Sequence, residues 1–180
     1  MKNDFKYFME QFKKAVNMID EKYINISIFQ LPDKIYRERV YCYELYHQLR
    51  RLLGDDYEYM LDGELDKKTH PIIEKNIGAK IPDFIVHYRS YMEHNLVIIE
   101  VKPIKSIDDS LSNLKDDLDK IIDFIEIAEY RYGIMLIYSN GFDEINDKIV
   151  MVYREMTKKY SEKIFLIWHP GPNKEPEIIN

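Results

Sequence analysis

Two apolar stretches decide the fold: Ile81-Pro82-Asp83-Phe84-Ile85-Val86-His87-Tyr88 and, after a polar turn, Asn95-Leu96-Val97-Ile98-Ile99-Glu100-Val101-Lys102. Both are apolar on two faces and rich in β-branched residues, as central strands covered by helices are. The spacing predicts strands over 82–89 and 95–102, with a turn from Ser90 to His94 that makes the pair antiparallel. Side chains alternate along a strand, so Glu100 and Lys102 share a face and Val101 takes the other. Asp83, at the start of the first strand, then lies opposite Glu100 and Lys102 at the end of the second. Three charges in so apolar a setting are costly without compensation. They are the candidate site.

Working outward, Tyr57 to Leu65 alternates as a third strand, and polar residues 67–80 predict a connection with one helical turn at Ile72–Asn76. Residues 33–53 predict a helix with Tyr41, Leu45, Leu49 and Leu52 as its apolar stripe, ended by Gly54. Residues 4–22 place Phe5, Phe8, Met9, Phe12, Val16 and Ile19 at helical spacing. Tyr23 to Leu31 hints at a short extended piece, broken by Pro32.

Downstream, Pro103 stops the strand and Ser106-Ile107-Asp108-Asp109 reads as a helix start. That helix runs to about Tyr130. A strand over 133–138, a helix over 143–159, a strand over 164–168 and a tail over 170–180 complete the chain. The expectation is one α/β domain over residues 1–180, a mixed central sheet flanked by helices.

With 180 residues and 46% hydrophobic content, the chain can bury one substantial core. No apolar run approaches the roughly 20 residues of a membrane span, and the N-terminal Met1-Lys2-Asn3-Asp4 lacks the apolar stretch of a signal peptide. A lone Cys42 makes no internal disulfide, which fits a reducing compartment, so a cytoplasmic protein without membrane partners is expected.

The net charge of −6 argues against a tight, unaided grip on nucleic acid, where phosphate contacts dominate affinity. Acids crowd Asp108 to Glu126, whereas Lys34, Arg37, Arg39, Arg50 and Arg51 outnumber the acids between Asp33 and Arg51. A polyanion would approach that second region. Its tyrosines, Tyr36, Tyr41, Tyr43 and Tyr46, suit either base stacking or a protein interface.

Two neighbouring carboxylates repel each other unless a cation sits between them. Hard oxygen ligands favour Mg²⁺, with Mn²⁺ as a substitute, and the Val101 carbonyl offers a further ligand. Lys102 would hold or help deprotonate an attacking water and offset charge in the transition state. Glu44, on the preceding helix, would complete the ligand set or simply face solvent. Glu64 and Asp62 compete for the accessory role. His87 lies roughly 13 Å along its strand from Asp83, which suits a core contact. His47, His70, His94 and His169 show no zinc spacing, and Cys42, without a partner histidine, suits packing.

These residues resemble the PD-(D/E)xK phosphodiesterase superfamily, the restriction-endonuclease-like fold. Its core is helix, three-stranded meander, helix, strand, which the chain matches over about 33–138. Asp83 matches the motif aspartate, Glu100 the second acid, Lys102 the lysine and Glu44 the acid many members carry on the first core helix. The resemblance implies a Mg²⁺-dependent nuclease acting on DNA ahead of RNA, with Asp83, Glu100, Lys102 and Glu44 catalytic and the ion on Asp83, Glu100 and Val101. It also admits a catalytically silent relative serving as a binding or assembly subunit. Exonuclease-like branches carry a Gln and a Tyr on the helix after the lysine strand. No glutamine occurs between Ser106 and Tyr130, and Lys115 is the nearest polar substitute. Sequence specificity would then come from a homodimer or a protein partner.

Overall fold

Strand β3 (Asn95–Pro103) is the axis of the molecule, because a different kind of connection leaves each of its sides. The computed structural model describes residues 2–27, 29–30, 35–64, 80–88 and 94–179. The helical turn expected at Ile72–Asn76, the break at Pro32 and most of the turn before Asn95 lie outside the described residues. The chain opens with α1 (Lys2–Asn17), α2 (Glu21–Ile24) and α3 (Glu38–Leu53), followed by β1 (Met60–Gly63) and β2 (Phe84–His87). After β3 come α4 (Ile104–Asp109), α5 (Leu111–Glu126), β4 (Tyr132–Tyr138), α6 (Asp147–Thr157), β5 (Ile164–His169) and β6 (Glu177–Ile179).

The strands form one sheet in the order β1-β2-β3-β4-β5-β6. The first three make an antiparallel meander, with Phe84 opposite Ile99 and Ile85 opposite Ile98. β4 and β5 then add in parallel, and β6 returns antiparallel to β5. Both parallel steps move in the same direction across the sheet, so right-handed crossovers put their helices on the same face. α4, α5 and α6 accordingly pack with Ile85, Ile98, Met135, Ile137 and Leu166. α1 and α3 cover the opposite face with Leu61, Phe84, Val97, Ile99, Val101 and Leu136. The expected mixed α/β architecture is what the chain adopts, including helix, meander, helix, strand in that order. No described helix is long and apolar enough to cross a membrane.

Several boundaries differ from the sequence expectation: α1 ends at Asn17, α3 begins only at Glu38, β1 is confined to Met60–Gly63, and α6 to Asp147–Thr157. The helix foreseen from Ser106 to Tyr130 is two helices, because Ser110 is extended (φ −159°, ψ 114°) and its side chain accepts from the Ser112 amide. The capping serine is thus Ser110, one turn later than the one the spacing suggested. The stretch expected as a tail is not free over its described residues, 170–179: β6 pairs through Ile178 with Ile167 and through Ile179 with Leu166. Among the described residues, the ambiguous piece before α3 forms the antiparallel bridge Ile26 to Ile35.

Gly133 at the start of β4 sets how closely α5 approaches. A Cβ there would collide with the γ2 methyl of Ile121, so the helix rests directly on the strand backbone. That close approach brings the polar residues of α5 down to the end of β3.

Candidate active site

Asp83 stands one residue before β2 and, by the Phe84–Ile99 register, beside Glu100. Its Oδ2 accepts a hydrogen bond from the Val101 amide at 2.7 Å. The hairpin therefore brings the three sequence-expected groups to a single end of the sheet. Alternation puts Glu100 and Lys102 on the face of Ile98, the side covered by α5, while Val101 is buried in the core beneath α1 and α3. Asp83 also lines a cleft of about 250 Å³ with Glu38, Arg39, Cys42, Glu64 and Ile81.

Helix α5 completes the arrangement from above. Lys120 donates to Glu100 Oε2 at 2.7 Å, and its Nζ lies 3.3 Å from Asp117 Oδ1. Asp117 Oδ2 lies 3.2 Å from Lys102 Nζ, which also pairs with Glu38 Oε2 at 3.1 Å. Charges alternate along this chain: Glu38, Lys102, Asp117, Lys120, Glu100. Glu100 is 1% exposed, and its second oxygen, Oε1, is buried with no hydrogen-bond partner.

Burial sets the protonation behaviour. It pushes the Asp83 carboxyl up to about 6, with Glu38 adding to the rise while the Val101 amide and the two lysines oppose it. Burial and the Asp83 charge push Glu100 well above the usual carboxylate range, against the pull of Lys120. Burial disfavours the charge on Lys102, yet Asp117 and Glu38 outweigh it and hold the ammonium above the ordinary lysine value. Glu100 does the same for Lys120. The Cys42 thiol is pushed up by burial and by Asp83, Glu38 and Glu100, which keeps it protonated and unreactive.

The other expected residues sit elsewhere. Glu44 accepts from Gln48 Nε2 at 2.6 Å, and the glutamate of α3 that reaches Lys102 is Glu38. Six residues at 100° each leave the two on different sides of the helix, so only one of them can face β3. Glu64 is exposed and paired with Arg39 at 3.1 Å. Asp62 is buried and meets His87 Nε2 at 2.8 Å, which gives that histidine its core role. Lys115 is exposed. Tyr41 is absorbed by the core, stacked on Tyr138 at 3.9 Å and bonded to His169 at 2.9 Å, whereas Tyr43 stays exposed.

Sequence reasoning missed Glu38, Asp117 and Lys120. A signal for Asp117 existed: it falls inside the buried stripe of Leu114, Leu118 and Ile121. A carboxylate there needs a partner. Among the described residues no three Asp, Glu, His or Cys side chains form a ready metal cage. No family model matches the chain, and neither a curated protein nor a solved structure matches it significantly.

Proposed function

We propose that the protein is a divalent-metal-dependent phosphodiesterase of the PD-(D/E)xK kind, cutting DNA within the cytoplasm. The observation that carries this reading is the convergence of Asp83, Glu100 and Lys102 at one hairpin end, with a buried, unpartnered carboxylate oxygen on Glu100. An orphaned acceptor beside a second acid is what a hard cation satisfies. The donor set, two carboxylates and the carbonyl of Val101, suits Mg²⁺ or Mn²⁺.

A bound ion would polarise the scissile phosphate and lower the pKa of an attacking water. Asp83 and Glu100 orient that ion. Lys102, kept as an ammonium by Asp117 and Glu38, orients the water and offsets the negative charge that develops on the phosphate oxygens. Its raised pKa favours this electrostatic role over that of a general base. Glu38 replaces Glu44 as the accessory acid. The cleft lined by Glu38, Arg39 and Asp83 gives substrate its approach.

A second reading, a nuclease-like binding or assembly subunit that does not cut, draws on the Lys120 ammonium already seated on Glu100 and on the net charge of −6. The deciding experiment incubates purified protein with single-stranded DNA, duplex DNA and RNA in Mg²⁺, Mn²⁺ or chelator, beside Asp83→Asn and Lys102→Met. Metal-dependent DNA cleavage absent from both folded variants is the expected result. No cleavage under any condition, or equal cleavage by all three proteins, overturns the enzymatic reading.

A further inference from the structure

We propose that Lys120 is a positioning residue that competes with the divalent ion for Glu100: its ammonium holds the carboxylate in the metal-free protein and swings onto Asp117 when an ion enters. This rests on the metal reading above and adds a residue on α5 that the hairpin motif does not contain.

The geometry carries it in three steps. Lys120 Nζ is 2.7 Å from Glu100 Oε2 and 3.3 Å from Asp117 Oδ1, so one cation bridges two acids. Releasing Glu100 therefore leaves Lys120 still paired, and no buried charge is stranded. Asp117 can take this role because its other oxygen lies 3.2 Å from Lys102, an ion pair without a hydrogen bond, so a second ammonium balances the carboxylate from the far side. Finally, Glu100 Oε1 remains without a partner, so the lysine satisfies only half of the carboxylate. A divalent ion would complete what the ammonium leaves undone. Two cations within a few ångströms in a buried site repel strongly, so the ion enters against Lys120 unless the side chain withdraws.

The same contact has a bland alternative: Lys120 merely neutralises Glu100. The two roles give opposite signs. If Lys120 only neutralises, its loss leaves Glu100 buried and unpaired, the carboxyl keeps its proton, and metal binding weakens. If Lys120 competes, its loss tightens metal binding.

The test is calorimetric titration of the full chain with Mn²⁺ alone at pH 8, without nucleic acid. Wild type, Lys120→Met, Lys120→Arg, Lys115→Met and Asp83→Asn are compared. Lys115 is exposed on the same helix and loses the same charge, which controls for net charge. The expected result is Mn²⁺ binding at least about tenfold tighter in Lys120→Met, from removing one repelling unit charge a few ångströms away. Lys115→Met should stay within about threefold of wild type, and Lys120→Arg should bind no tighter than wild type because it keeps the cation. Equal or weaker binding by Lys120→Met, with wild type binding and Asp83→Asn not, overturns the competition and leaves the metal site standing. Should Lys120→Met not fold, tighter binding by Lys120→Arg overturns it instead. Absence of binding in every protein overturns both.

Discussion

The amide of Val101 donates to the Asp83 carboxylate at 2.7 Å, so the acid before β2 is bonded to the peptide that separates Glu100 from Lys102. That hydrogen bond links Asp83 directly to the backbone that carries Glu100 and Lys102. Asp83→Asn keeps an acceptor for that amide and removes a buried charge. At pH 7.5 it should unfold at higher urea than wild type, by about 1–2 kcal/mol, while cleavage falls at least about a hundredfold. Asp83→Ala, which leaves the amide unpaired, should lie about 1–2 kcal/mol below Asp83→Asn. An Asn variant less stable than wild type would show that the carboxylate charge supports the fold.

A pH dependence follows from the same group. Asp83 titrates at about 6 in the folded protein against 3.8 for the free side chain. Below pH 4 both states hold the proton. Between pH 4 and 6 the unfolded chain releases it first, so the unfolded state binds fewer protons and stability falls as pH rises. Above 6 the cost is fully present. Urea titrations from pH 4 to 7 should show this decline, on the order of 1–2 kcal/mol from Asp83 after allowance for partial solvent screening, and it should be shallower in Asp83→Asn, where Glu100, also pushed up by burial, is left to titrate.

The accessory acid can be assigned by a paired substitution. Glu38 lies 3.1 Å from Lys102, whereas Glu44 is bonded to Gln48. Glu38→Gln should slow metal-dependent cleavage by roughly tenfold, and Glu44→Gln should stay within about twofold. Rates measured at saturating Mg²⁺ decide it. A larger loss at position 44 would reverse the assignment.

The seating of α5 can be tested through its closest contact. Gly133→Ala should cost about 1–3 kcal/mol by driving a methyl into Ile121. Ile121→Ala removes the opposing γ2 methyl. The double variant should be less destabilised than the sum of the two singles by at least about 1 kcal/mol in urea unfolding. Simple additivity would mean that the helix moves away without resistance.

The hairpin was legible because burial on both faces leaves a strand no freedom of pattern: residues 95–102 were expected and Asn95–Pro103 observed. The convergence of Asp83 with Glu100 followed from one turn and the two-residue alternation. Long-range partners were not legible. Which helical acid reaches Lys102 depends on the rotation of α3 against the sheet, and Glu38 and Glu44 are both ordinary helix-surface residues by sequence. Lys120 was hidden because the height of α5 is set by Gly133, a residue on another element. β6 escaped notice because Glu177-Ile178-Ile179 is too short to show a period.

The alternation along β3 also constrains how this site can change through time. Ile98, Glu100 and Lys102 point to one layer, and Val97, Ile99 and Val101 to the other. Deleting or inserting a single residue in the strand would invert that parity, sending both ionic groups into the apolar layer under α1 and α3. Lineages of this protein can therefore exchange side chains along β3, whereas changes in its length must come in pairs or fall outside it.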